Sequence, residues 1–209
     1  MCGNGIRCLA KYVYDNRMTD KDTVTIETPG GIKTIRMFIE DGTVRRARVN
    51  MGTPALERGA IPMKGAEGRV IAESLEVDGQ TYLITCVSMG NPHAVIFVDD
   101  VRTAPVDRIG PQIEIHPKFP NKVNVEFVEP VDEANIKMRV WERGSGETLA
   151  CGSGCCAAAV ASARTGRADR SVSVHLALGH LQIEWANDGH VYMAGPAVRV
   201  FDGEWTAPR

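Results

Sequence analysis

With 209 residues and a 44% hydrophobic share, the chain can bury a sizeable core, as one large domain or two small ones. A formal charge of -2 and a pI near 6.2 give no broad basic field, which argues against nucleic acid as a main partner. No apolar run approaches the ~20 residues that span a bilayer, and the N-terminus lacks the charged, apolar and small-residue order of a signal peptide, so the sequence predicts a cytoplasmic protein with no membrane partner.

Met1-Cys2-Gly3-Asn4-Gly5 runs into a helix over Ile6–Asn16, where Ile6, Leu9, Ala10 and Val13 follow helical spacing. Thr23–Thr28, Ile32–Ile39 and Thr43–Asn50 are short and rich in β-branched residues, joined at Pro29-Gly30-Gly31 and Asp41-Gly42, and predict an antiparallel meander. Asn50-Met51-Gly52-Thr53-Pro54 breaks the pattern, and the loop that follows to Arg69 carries Gly59, Pro62, Gly65 and Gly68 and suggests a domain boundary. Leu75–Val77 and Thr81–Ser88 predict a hairpin, followed by Gly90-Asn91-Pro92-His93 and a strand Ala94–Val98. Val106–Ile113 reads as a short helix, and Lys122–Glu129 and Ile136–Glu142 read as strands. A glycine-rich bend then leads to Cys151 and an alanine-rich helix that Gly166 can end. Ser171–Leu178, His180–Trp185 and His190–Ala194 resume the β pattern, and a last strand is expected over Ala197–Phe201. The pattern predicts an α/β fold of α+β type: two pseudo-symmetric halves, each of mainly antiparallel sheet wrapped around a helix. The expected division is 1–50 plus 197–209 for the first half and 51–196 for the second.

Cys-Gly-x-Gly occurs twice, at Cys2 and at Cys151, each time directly before a helix. At a helix start the unpaired N–H groups and the dipole favour anions, so a thiolate there should be stabilised and a substrate carboxylate held. A single such cysteine is usually structural; the repeated spacing favours function. If the halves are copies, Cys2 and Cys151 face one another across a cleft, one removing a proton from a carbon while the other returns one to the opposite face. N–H groups at Gly3-Asn4 and Gly152-Ser153 would stabilise the carbanion or enediolate. Such chemistry needs no cofactor and no metal, and no C-x-x-C pair is present. The length and the absence of a secretion signal favour reduced thiols over disulfides, with Cys8, Cys86, Cys155 and Cys156 assigned to packing.

Four segments now carry a resemblance: Met1-Cys2-Gly3-Asn4-Gly5-Ile6-Arg7-Cys8, Gly90-Asn91-Pro92-His93-Ala94-Val95, Phe119-Pro120-Asn121-Lys122-Val123-Asn124-Val125-Glu126-Phe127, and the run from Trp141 through Cys151 to Gly154. The chain resembles the diaminopimelate epimerase family of cofactor-independent enzymes in lysine and peptidoglycan precursor biosynthesis. The resemblance implies interconversion of LL- and meso-diaminopimelate, a homodimer, and Cys2 and Cys151 as the two acid–bases. It further implies that Gly3, Asn4, Gly152 and Ser153 bind the carboxylate at the reacting centre, and that Asn91, Asn124 and Arg143 help hold the substrate. Glu142 would accept from a substrate ammonium, and His93 would support the thiol chemistry alongside Glu142. Family members carry a segment ahead of the first cysteine motif, so the first half is expected to be truncated at its N-terminus. Three other readings stay open at this point: a proline or hydroxyproline racemase, an inactive relic acting as a dimerising or regulatory protein, and a thiol redox protein.

Overall fold

The computed structural model describes residues 2–206, so Met1 and the last three positions of the expected first half lie outside the described residues. Helix α1 (Gly3–Asp15) begins three residues before the apolar spacing does, because Cys2 caps it. Strands β1 (Thr23–Thr28), β2 (Gly31–Glu40) and β3 (Thr43–Gly52) form the expected antiparallel meander. After a 3-10 turn at Arg58–Ala60 come β4 (Glu73–Val77), β5 (Gln80–Ser88) and β6 (Pro92–Phe97). Helix α2 (Val106–Glu114), β7 (Asn124–Asp132), β8 (Asn135–Glu142) and the short β9 (Gly146–Thr148) lead to α3 (Gly152–Arg164). Strands β10 (Ser171–Leu176), β11 (Gly179–Trp185) and β12 (Val191–Pro196) complete the order.

The strands hydrogen-bond in one continuous path, β1-β2-β3-β12-β11-β10-β8-β7-β6-β5-β4, with β9 beside β8. Two joins are parallel, β6 with β7 and β8 with β10. Parallel neighbours cannot be closed by a tight turn and need a crossover; α2 supplies it in the first case and α3 in the second. The crossovers place α2 and α3 against the sheet, each in its own apolar cluster. One cluster gathers Ile61, Leu75, Ile84, Ile109, Ile113 and Phe127 around α2. The other gathers α3 with Ile35, Val49, Val87, Val174, Ile183 and Met193. From Gly154 to Ser162 every residue of α3 is buried. With only Cys, Ala, Val, Ser and Gly there, sheet can approach on all sides, as a helix apolar all round requires. Helix α1 buries one face, including Ile6 and Ala10, and leaves Leu9 and Tyr12 exposed.

The strand expected over Ala197–Phe201 does not form. Pro196 ends β12, and residues 197–206 carry no regular structure, with Val198, Val200, Phe201 and Trp205 exposed. β-branched residues make a strand only where a neighbouring strand and a covering face are present, and among the described residues none flanks this stretch. No helix among the described residues is long and apolar enough to cross a membrane.

Candidate active site

Cys2 and Cys151 occupy equivalent positions. Each is the N-cap of its helix in extended conformation, at φ -99°, ψ 114° and φ -126°, ψ 109° respectively. The carbonyl of each accepts the first helical bond, from Ile6 N–H at 3.1 Å and from Cys155 N–H at 2.9 Å. The two helix starts meet at their glycines. A Cβ on Gly3 would lie 3.6 Å from Gly152 Cα, and one on Gly152 would lie 3.4 Å from Gly3 Cα. Met193 of β12 lies beneath both, 2.7 Å from the Gly3 Cβ position and 3.0 Å from that of Gly152. Glycine is needed at both positions because two backbones and a methionine share the space. The first turns of the two helices therefore lie side by side, and a helix first turn offers backbone N–H groups suited to an anion.

The environments of the two sulfurs differ. Cys2 is exposed, and its Sγ accepts from Gly5 N–H at 3.4 Å. Cys151 is buried at 6% exposure, with Sγ 3.5 Å from Ser153 Oγ. Burial pushes the Cys151 thiol up and Glu126 adds to this; Ser153 and Gly154 pull it down, Glu142 raises it further, and the net position is about 12 against an ordinary 9.0. The expectation of a helix-stabilised thiolate is thus corrected at Cys151. Desolvation and nearby carboxylates outweigh the helix start, and the resting group is the thiol.

From Cys151 a line of polar contacts runs into the sheet. Ser153 Oγ accepts from Asn91 Nδ2 at 3.2 Å, and Asn91 Oδ1 lies 3.1 Å from His93 Nε2. His93 Nδ1 is 2.6 Å from Glu126 Oε1, and both side chains are fully buried. Asn124 is buried too, but its amide is engaged by the protein: Nδ2 donates to Pro92 O at 3.1 Å and Oδ1 accepts from Arg143 N–H at 2.9 Å. It thereby ties the Asn91–His93 segment to the bend after β8. The same bend is fastened by buried Glu114, which accepts from Trp141 Nε1 at 2.7 Å and Gly144 N–H at 3.0 Å and pairs with Lys122 at 2.9 Å. Glu142 accepts from Thr148 Oγ1 across β8 and β9.

A cleft of about 370 Å³ beside this line is walled by Gly30, Lys33, Gly90, Asn91, Arg143 and Ser153. Of the residues singled out from the sequence, the structure brings Asn91, Arg143 and Ser153 to this cleft, with His93 behind Asn91 and Gly152 beside Ser153. Asn4 faces a separate groove with Arg7, Leu149 and Ala150, and its Oδ1 accepts from Arg7. Sequence reasoning missed Glu126 and Arg7. Glu126 stands in the third quoted motif but within a run buried on both faces, where no alternation marks it. Arg7 is buried, bonding Gly3 O at 3.1 Å and Pro196 O at 3.3 Å, and so holds the first turn of α1 against β12.

Paired cysteine-capped helix starts meet in a sheet-dominated α/β fold, and the chain's epimerase relatives make it an isomerase. A probable proline racemase from Agrobacterium radiobacter K84 has the same fold at a TM-score of 0.70 and 13% identity, over 97% of this chain and 68% of that one. The family model for diaminopimelate epimerase matches residues 1–57 and 85–200. The diaminopimelate epimerase of Moorella thermoacetica is 55% identical over 98% of this chain and 74% of its own length. That of Pelotomaculum thermopropionicum is 54% identical over 98% of this chain and 73% of its own length. The chain belongs to the diaminopimelate epimerase family.

Proposed function

We propose that this isomerase interconverts LL- and meso-diaminopimelate by two-base chemistry between Cys2 and Cys151, in the biosynthesis of lysine and peptidoglycan precursors. The observation that carries the reading is the meeting of two helix starts at Gly3 and Gly152, each capped by a cysteine. A carboxylate at the N–H groups of the two first turns sets the α-carbon between the sulfurs. The Cys2 thiolate takes the α-proton, and the electron pair left behind delocalises into the carboxylate, where the helix N–H groups stabilise the growing charge. Cys151 then gives its S–H proton to the opposite face, so that configuration inverts and the two sulfurs exchange protonation states. The reverse reaction starts from the exchanged state.

Backbone N–H groups at Gly3, Asn4, Gly152 and Ser153 form the carboxylate cradle in this reading, while the Asn4 side chain is held by Arg7. Asn91 and Arg143 hold the remote end, Asn124, whose amide the protein engages, fixes the bend that carries Arg143, Glu142 accepts from an ammonium and His93 supports the thiols. Arg143 at the cleft rim supports a substrate with a second charged end, which proline lacks. The reaction requires no cofactor and no metal, and the same reading, following the family resemblance, makes the enzyme a cytoplasmic homodimer. Incubation of the protein with LL-diaminopimelate in heavy water tests it. Meso product carrying one deuterium at the inverted carbon is expected, with proline untouched; an unchanged substrate, or inversion without solvent deuterium, would sink it.

A further inference from the structure

Beyond the two cysteines, the most unusual group in the second helix's surroundings is a carboxylate with no solvent. Glu126 projects from β7 with 0% exposure. One oxygen contacts His93, and the other has no hydrogen-bond partner among the described residues. Leaving a buried carboxylate oxygen unpaired costs several kcal/mol in general terms, so a core selected for stability alone has little use for it. Its position is specific: Oε1 is 2.9 Å from where a Cβ on Gly154 would be, and Cys151 Sγ is 3.4 Å from the same point. Gly154 lacks a side chain, so the carboxylate lies directly against the first turn of α3.

Asn91 bridges the imidazole to Ser153, with its Oδ1 3.1 Å from His93 Nε2. Asn91 Nδ2 then donates to Ser153 Oγ, which keeps a lone pair and a hydroxyl hydrogen for the sulfur. While Cys151 is a thiol, either its S–H or the Ser153 hydroxyl can donate in this pair. Once the proton has left, the Ser153 hydroxyl can rotate and donate to the thiolate.

We propose that Glu126 is a positioning residue for Cys151: it fixes His93 and, through Asn91 and Ser153, the hydroxyl that faces Sγ, while laying a carboxylate against the first turn of α3. The consequence is functional, since a proton donor must hold its proton at rest, and a fixed negative charge behind the helix start favours the neutral sulfur. This rests on the proposed two-base reading for its role in turnover, but not for its test. The titratable groups around Cys151 are Glu126 on β7, Glu142 on β8, and Cys155 and Cys156 within α3; His93 on β6 contacts Glu126, and Arg7 on α1 acts on Cys155 and Cys156.

Iodoacetamide labelling without substrate, read peptide by peptide across pH 7 to 11, reports the Cys151 thiolate directly. Glu126→Gln keeps the shape and removes the charge, so Cys151 should label faster at pH 8, about tenfold for each unit by which its midpoint falls. Ser153→Ala removes a donor to the thiolate, so labelling should slow. A loosened fold would accelerate both, which makes the opposite signs diagnostic. Equal labelling of wild type and Glu126→Gln, or acceleration in both variants, overturns the proposal. Cys155 and Cys156, at 0% exposure, are internal monitors of folding. If they label in Glu126→Gln, Ser153→Ala alone decides: slower labelling of Cys151 supports the proposal, and unchanged or faster labelling overturns it. Turnover of diaminopimelate by the wild type is scored separately, so loss of one reading does not carry the other with it.

Discussion

The starts of α1 and α3 share a sequence pattern, an N-cap conformation and a glycine at the point of contact, yet one helix is covered on a single face and the other on every side. Helix α1 leaves Cys2 in solvent and is steadied by Arg7, which reaches Gly3 O and β12. Helix α3 takes Cys151 into the protein, where Glu126 and Glu142 both act against its ionisation. The repeated motif therefore fixes where the sulfurs are, while the surroundings fix what each is ready to do. For a reaction that needs one base and one acid at any moment, unequal surroundings around equal backbones are an asset.

The most severe way to break the comparison is to remove either sulfur. Cys2→Ala and Cys151→Ala should each lower epimerisation at least ~10³-fold, since acid–base catalysis by one group is worth about 10²–10⁴ and full inversion needs both. Neither change opens a large cavity, so thermal unfolding should stay close to wild type. Single Cys→Ser variants sharpen the assignment. If they exchange solvent deuterium from one substrate face only, the sulfurs have distinct sides; symmetrical inversion by either variant contradicts two-base chemistry.

Next in size is the contact itself. Gly3→Ala sets a methyl 2.7 Å from Met193 Cε, and Gly152→Ala sets one 3.0 Å from Met193 Sδ, in each case with the facing helix behind it. Overpacking of this kind costs about 1–3 kcal/mol, read as a lower urea midpoint, and activity should fall further than stability because the sulfurs are pushed apart. Met193→Ala should partly restore stability in the double variants but not activity. Tolerance of alanine at Gly3 with loss at Gly152 would mean that the helix starts are not in mutual contact in solution.

A smaller effect separates the sulfurs by reactivity. Cys2 should label with iodoacetamide well before Cys151 at pH 7–8, because it is exposed and Cys151 is not. The Cys151 rate should keep rising with pH toward about 12, since the thiolate is the reactive form and the thiol is pushed up to that value. A plateau near pH 9 would show that burial and Glu126 do not govern it.

Much of this was legible before any coordinates. The cysteine–glycine starts, the meander to β3, and β8 delivering Glu142 and Arg143 to a glycine bend follow from residue spacing and turn chemistry. What stayed hidden was tertiary. Asn124–Val128 of β7 is buried throughout, so no alternation separates Glu126 from its apolar neighbours, and its meaning depends on His93, which comes from a different strand. The identical Cys-Gly-x-Gly strings could not reveal that only one sulfur would be desolvated. Residues 197–201 have strand-forming side chains but no partner strand, and side-chain preference without pairing does not make a strand.

The least dramatic test concerns the bend that carries Arg143 and leads to Cys151. Burial alone would raise the Glu114 carboxyl, but bonds from Trp141, Lys122 and Gly144 outweigh it and hold the group below its ordinary 4.5. A depressed folded value means that this stabilisation is fully present above the unfolded value, and is lost as pH falls through the folded one. Glu114→Gln keeps an oxygen for Gly144 N–H and for Trp141 but loses the charge, so it should cost about 1 kcal/mol at pH 7, in line with a hydrogen bond strengthened by charge. In urea titrations the gap between variant and wild type should persist at pH 7 and 5 and close toward pH 3. A gap that stays constant to pH 3 would assign the loss to packing around Trp141 rather than to the carboxylate. Because Gly110 lies 2.6 Å from Trp141 Cβ at its own Cβ position, Gly110→Ala should produce that pH-independent loss, and the two variants together separate charge from shape in the segment that presents Arg143 to the cleft.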